Sequence, residues 1–275
     1  MPRRKKGVKL QDGLQVVIAS KGRPANAEHM LKIWPDAKFY VDEAERDAYL
    51  PYMLGKEDQF VGHPGLRGQQ RAMNYALDHE DADAILFCDD DLEYFMSLVT
   101  TWPKKVKDRK YYGADNFAQL ADAGYQMLKD SGTHLYGWNK QAHPVAYNNC
   151  SPYTFTRLVQ GAVILRRGSK FRFDEKTDHW DADITLYHLL HDRIVLKDNR
   201  HYWHFGYNSG NAGGNQSVMT EEVFTQQRLY MKEKWGKYFS YGKANITATV
   251  AGGGGGSQES FGTSVVRKSN LAVRR

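Results

Sequence analysis

The sequence predicts an α/β protein: a central sheet of short, mostly parallel strands covered by helices. Three observations predict it. Short apolar segments alternate with helix-compatible stretches through the first ninety residues, the pattern of strands joined by crossover helices. One segment, Ala84-Ile85-Leu86-Phe87-Cys88, is apolar throughout, as a strand buried on both faces must be. It ends directly on Asp89-Asp90-Asp91, at the carboxyl end of a strand, where open α/β sheets bind their ligands.

Taken in order, residues 1–12 carry Arg3, Arg4, Lys5, Lys6 and Lys9 against Asp12 and are expected to form a basic, disordered arm. Residues 13–250 are expected to form one domain. Leu14–Ser20 reads as its first buried strand, and Pro24 is placed to open a helix, where a missing N–H costs nothing. A second strand is expected at Lys38–Val41 and a third at Gln59–Val61. The loop His63–Gly68 then leads into a helix carrying Arg71, Asn74 and Leu77. Beyond the acidic run, Phe117, Leu120, Ala121, Gly124 and Leu128 share one helical face. Strand-like segments follow at Tyr153–Val159 and Ala162–Leu165. Helices are expected from near Asp183 and over about Glu221–Trp235. The tail, 251–275, is Gly-rich and basic, and is expected to be flexible.

Composition excludes some classes. No apolar run approaches the ~20 residues a bilayer-spanning helix needs. The basic start is followed by no apolar stretch of secretory type. Two cysteines, Cys88 and Cys150, make neither a disulfide framework nor a structural zinc site. A cytoplasmic setting is the expectation. The net charge of +6 is concentrated in the two tails, leaving a body near neutrality; such arms suit a polyanion, and they also serve solubility alone.

The chemistry centres on Asp89, Asp90 and Asp91. Adjacent acids repel unless a cation or water neutralises them, and hard oxygen ligands suit Mg²⁺ or Mn²⁺. A solvated acidic turn is the plain alternative. The acidic triplet after a central strand resembles the Asp-X-Asp motif of GT-A glycosyltransferases. That resemblance implies a GT-A, Rossmann-like core with an acceptor-side subregion, a divalent ion and a nucleotide-sugar donor such as a UDP-sugar. It implies Asp91 as the direct metal ligand, with Asp89 on the metal or ribose and Asp90 beside the donor. It places Ser20 and Arg23 in the nucleotide loop after the first strand, Asp42 near the ribose or base, and Arg67 and Arg71 facing the nucleotide.

On the acceptor side, Gly161–Leu165 resembles the strand lining that subsite. In His179-Trp180-Asp181-Ala182-Asp183, Asp181 is the first candidate for an acceptor-orienting or general-base carboxylate and Asp183 the second. An Asp at a helix start is equally an N-cap. The resemblance also implies a late histidine on the metal, His204 or else His201, while a histidine among aromatics is equally a packed residue. Gly206–Gly214 is a candidate diphosphate cover, or a plain connection. The run Lys104, Lys105, Lys107, Arg109 and Lys110, ending in Tyr111 and followed by Tyr112, is basic enough for a nucleic acid, as is any solvated basic loop. Trp180 is a further stacking candidate.

Taken together the chain resembles the TET-associated glycosyltransferases of bacteriophages. That implies transfer to 5-hydroxymethylcytosine or another hydroxymethylpyrimidine in phage DNA, in the bacterial host cytoplasm, after a TET/JBP-type dioxygenase has acted. The competing readings are a nucleotidyltransferase on a similar core, a metal-dependent nuclease, and a non-catalytic nucleic-acid-binding protein.

Overall fold

The computed structural model describes residues 10–66, 68–98, 110–139, 152–206 and 220–239. The elements run β1 (Leu14–Ala19), α1 (Pro24–Ile33), β2 (Lys38–Asp42), α2 (Arg46–Tyr49), β3 (Phe60–His63), α3 (Gln69–His79), β4 (Ala84–Cys88), β5 (Leu92–Ser97) and β6 (Lys110–Tyr111). They continue with α4 (Ala114–Ser131), β7 (Leu135–Asn139), β8 (Tyr153–Thr154), β9 (Ala162–Arg166), α5 (Trp180–His191), β10 (Leu196–Phe205) and α6 (Glu221–Trp235).

These strands form one sheet in the order β3-β2-β1-β4-β9-β7-β10-β5-β6, with β8 added on β10. The half built from residues 14–88 is parallel, because each of its strands is reached through a helical or turn-rich crossover that returns the chain to the same end. β9 then enters antiparallel between β4 and β7, while β7 and β10 are parallel to each other. The α/β class holds, with a mixed second half.

Side-chain alternation divides the core between the two faces. Val16 and Ile18 of β1 join Ala27, Met30 and Ile33 of α1 and Phe117, Ala121 and Leu128 of α4 on one face. Val17, Ile85 and Phe87 meet Ala72, Met73 and Ala76 of α3 and Trp180, Ile184 and Leu189 of α5 on the other. The result is three layers, helix on sheet on helix. On the first face, Trp203 of β10 lies between Trp138 and Trp34. Its ring centroid is 4.2 Å from Trp138 and 5.9 Å from Trp34, both in stacked geometry, with Phe117 set edge-on at 5.4 Å. Leu186 of α5 meets Met231 and Phe239, which docks α6 on the outer side of α5.

One buried polar group ties this packing to pH. The side chain of His188 in α5 is wholly buried. Its Nδ1 donates to the Ile184 carbonyl at 2.8 Å, which leaves Nε2 to accept from the Ser169 hydroxyl at 2.9 Å. Burial pulls its pKa down to about 4, with the neighbouring His134 and His191 adding to the fall and Asp192 opposing it. An unfolded histidine titrates near ~6.5. The unfolded chain therefore binds the extra proton first, and this group's stabilisation is complete above ~6.5 and lost as pH falls toward 4. The expected loss is about 3 kcal/mol over that window. Urea midpoints of the wild type and His188→Gln at pH 7 and 4.5 check it: the variant should show the smaller drop.

Among the described residues, no helix is long and apolar enough to cross a membrane.

Candidate active site

Because β1 to β4 run parallel, their carboxyl ends share one edge of the sheet. Ser20 follows β1, Asp42 ends β2, His63 ends β3, and Asp89–Asp91 follow β4. β9 is antiparallel and Ala162 pairs with Cys88, so its leading residues Gln160 and Gly161 reach this same edge. Phe205 ends β10 opposite Leu92, and Gly206 N–H donates to the Asp91 carbonyl at 2.8 Å. Gly161 is constrained from two sides: its φ is +77°, and a Cβ there would lie 2.6 Å from the Phe205 ring.

The three acids do not act alike. Asp90 turns inward, accepting from Ser20 Oγ at 2.5 Å and pairing with Arg23 Nη1 at 3.0 Å. Ser20 in turn meets the Tyr49 hydroxyl at 2.8 Å, and the Arg23 N–H donates to that same oxygen at 3.2 Å. Asp90 thus fastens the loop after β1 to the acidic turn, and two residues expected beside a donor have a structural partner in it. Asp89 accepts from Gln69 Nε2 at 2.8 Å, in the first turn of α3. Its neighbour Gln70 donates to the Thr177 carbonyl at 2.9 Å and to Asp178 at 3.0 Å. Two consecutive glutamines therefore tie the acidic turn to the segment that opens α5.

Asp181 lies in the first turn of α5. Its Oδ1 accepts the Ala182 N–H at 2.8 Å and its Oδ2 accepts Gln160 Nε2 at 3.3 Å. The carboxylate is part-buried, at the edge. His179, just ahead of it, is kept neutral by burial, and Arg228 opposes its protonation further while Asp181 and Asp178 favour it. Asp183 is fully buried and accepts from Lys234 Nζ at 3.0 Å and Trp235 Nε1 at 2.8 Å. Desolvation raises its pKa against the pull of Lys234. It is a lock between α5 and α6.

The remaining expected residues are spread more widely. Asp42 caps the turn after β2 by accepting the Ala44 N–H at 3.1 Å. Arg71 pairs at the surface with Glu175 at 2.6 Å. His204 bonds the Tyr202 hydroxyl at 2.7 Å, stacks on Tyr94 at 4.6 Å, and has Glu93 3.6 Å from Nε2. His201 is held by Asp198 at 2.9 Å. Trp180 is 7% exposed and packs edge-on against Phe173, so its ring belongs to the core. Lys110 lies over the Tyr94 ring at 4.0 Å, and Tyr111 stacks on Phe95 at 5.0 Å. Arg67, Lys104, Lys105, Lys107, Arg109 and the loop 207–214 lie outside the described residues.

Gln69, Gln70, Gln160 and Tyr49 were not singled out in the sequence. Neutral amides carry no charge pattern; the usable signal is position, since Gln69 opens α3 directly after Gly68 and Gln160 precedes Gly161 just ahead of β9.

Among the described residues, no three His, Cys, Asp or Glu side chains are gathered as a metal-holding group, so His204 does not join Asp89 and Asp91 in one. The donor set still fits a Mg²⁺- or Mn²⁺-type ion. Such ions take one or two carboxylates and complete their shell with water and substrate phosphate. Asp90 turns inward, and Asp89 and Asp91, half-buried in the same turn, are the acids that would hold it. Bound there, the ion would supply charge stabilisation to a phosphate-bearing ligand. Gln69 would orient Asp89 toward that ion, and the Gly206 N–H fixes the backbone of Asp91.

No protein-family model matches this chain, and no curated protein matches it. Solved structures do. The mannosyltransferase PcManGT from Pyrobaculum calidifontis, in complex with GDP-Man and Mn²⁺, is similar at 14% identity over 90% of this chain and 84% of that one, with a TM-score of 0.43. CMP:2-keto-3-deoxy-manno-octonic acid synthetase complexed with CTP is similar at 10% identity over 81% of this chain and 100% of that one, with a TM-score of 0.39.

Proposed function

We propose that this chain is a metal-dependent glycosyltransferase that moves a sugar from a nucleotide-sugar donor to an acceptor hydroxyl. The observation that carries the reading is the division of labour at one sheet edge. Asp89 and Asp91, both half-buried, follow β4, and a separate carboxylate, Asp181, stands in the first turn of α5. Gln69 and Gln70 link the acidic turn to the segment ahead of α5. The pair would hold the ion on the donor diphosphate. Asp181, held in place by Gln160, would take the proton of the attacking hydroxyl.

Within that reading the donor is a UDP-sugar and the acceptor a hydroxymethylpyrimidine in DNA, made by a TET/JBP-type dioxygenase. The basic run from Lys104 to Lys110 and the two basic tails support a polyanionic acceptor; the UDP-sugar and the hydroxymethyl group come from the resemblance alone.

The test is thermal stabilisation by a panel of nucleotide sugars, with and without Mn²⁺, on the wild type and Asp91→Ala. A ligand that binds only the folded state raises its Tm. The expected result is a Mn²⁺-dependent rise with one UDP- or GDP-sugar, absent in Asp91→Ala. No rise with any nucleotide sugar would overturn the reading. Product analysis separates the transfers: a glycosyltransferase releases a nucleoside diphosphate, a nucleotidyltransferase pyrophosphate.

A further inference from the structure

Lys197 sits in the middle of the sheet, on β10, between Gly137 of β7 and Thr154 of β8. Its neighbours Leu196 and Asp198 belong to the face carrying α1 and α4, where Leu196 joins the core and Asp198 reaches the Tyr136 hydroxyl. Alternation therefore puts Lys197 on the face carrying α5, beside Gly137, whose missing side chain makes room for Val159. It is 9% exposed.

A buried ammonium normally has a carboxylate against it, because an unpaired charge away from water is costly. Among the described residues Lys197 has none. There the charged group that acts on it is Arg157, of the same sign, and no ion pair joins Lys197 to a described residue. Asp198 is on the opposite face and already held by Arg200 and His201. The surrounding sequence offers no substitute. There is no Asp or Glu from Ser131 to Phe173, the stretch containing β7, β8, β9 and Arg157, and none from Asn199 to Thr220.

The position bears on function. β7 and β10 are parallel, with Lys197 level with Gly137. Asn139, two residues on, ends β7 at the carboxyl edge where Gln160 and Asp181 stand, and its side chain donates to the Asn199 carbonyl at 3.0 Å. Lys197 thus lies one layer beneath the half of the edge that would receive an acceptor.

We propose that Lys197 and Arg157 form an oxyanion-binding subsite, taking a phosphate group of the acceptor, on the β7–β10 side of the site. The role as an acceptor subsite rests on the transferase reading above; anion binding itself does not. Two neighbouring cations that share no carboxylate among the described residues suit an anion, and exposed Arg157 supplies the outer, bidentate donor. Burial, with Arg157's like charge adding to it, draws the Lys197 pKa down to about 8, and an anion bound there would raise it again.

The test uses the full chain in EDTA, without donor, at constant ionic strength. Melting is followed against inorganic phosphate and, separately, a short single-stranded oligonucleotide. The expected result is a rise of about 3 °C in the wild type with at least one probe, abolished in Lys197→Met and reduced in Arg157→Gln. A response to phosphate assigns a small phosphomonoester; a response to the oligonucleotide alone assigns a phosphodiester backbone. Lys197→Met should melt no lower than the wild type without a probe, since it removes an uncompensated buried charge. Either no rise in the wild type or an equal rise in Lys197→Met overturns the proposal. If Lys197→Met fails to fold, a full rise in Arg157→Gln, whose side chain is exposed, overturns it. Because metal and donor are absent, failure here leaves the nucleotide-sugar test untouched.

Discussion

Replacing Asp183 by alanine is expected to lower stability by about 3 kcal/mol, as removing one partner of a buried charged pair does. The substitution strands the Trp235 indole N–H, which has Asp183 as its acceptor at 2.8 Å, and removes one of the two carboxylates on Lys234. The joint between α5 and α6 rests on these bonds and on the small cluster of Leu186, Met231 and Phe239. Denaturant melts of Asp183→Ala and Asp183→Asn measure the effect, and the amide should recover part of the loss by still accepting from Trp235. If instead stability stays within about 1 kcal/mol and only catalysis disappears, Asp183 is the base and the lock is misread.

Asp181→Asn should behave in the opposite way. The amide keeps the shape and the Ala182 N–H bond but cannot take a proton, so kcat is expected to fall about 10²–10⁴-fold. The Tm of the free protein and the rise caused by donor with Mn²⁺ should both survive, because neither depends on that proton. An unchanged kcat would remove Asp181 from the reaction and leave it as the helix-capping residue its place in the first turn also permits. The two aspartates stand two residues apart in sequence, and the pair of variants separates a positioned base from a packing charge.

Sequence alone located much of the frame. The run Ala84–Cys88 is β4 residue for residue, Pro24 does open α1, and Glu221–Trp235 is α6 as expected. These elements are set by local rules: an apolar run, a fixed φ, a regular stripe. The start of α5 falls at Trp180, three residues ahead of the expected Asp183, because Thr177 and His179 shape its entry through a side-chain-to-backbone bond that no periodicity records. The strand-like stretch Tyr153–Val159 contributes only Tyr153–Thr154. Leu158 and Val159 are apolar because they lie under α5, in its packing clusters.

β5 and β7 went unassigned, since β5 leaves the acidic turn without a breaker and β7, Leu-Tyr-Gly-Trp-Asn, holds two residues that strands disfavour. The antiparallel entry of β9 is a property of the connection before it, which residue patterns do not encode. At the site, charge drew attention to Asp89–Asp91 and Asp181. What each acid does depended on partners far away in sequence: Ser20 and Arg23 for Asp90, Gln160 for Asp181, Lys234 and Trp235 for Asp183.

The row of indoles has an optical consequence. Trp34 closes α1 in the first half of the chain, while Trp138 and Trp203 stand on β7 and β10 in the second, and all three are buried. Face-to-face indoles at these spacings couple their excited states, so near-ultraviolet dichroism and emission from this row register whether the two halves are seated on each other. The carboxylate edge has no part in that row, so a ligand arriving at the edge should leave its spectrum largely unchanged, while separation of the halves should alter it at once.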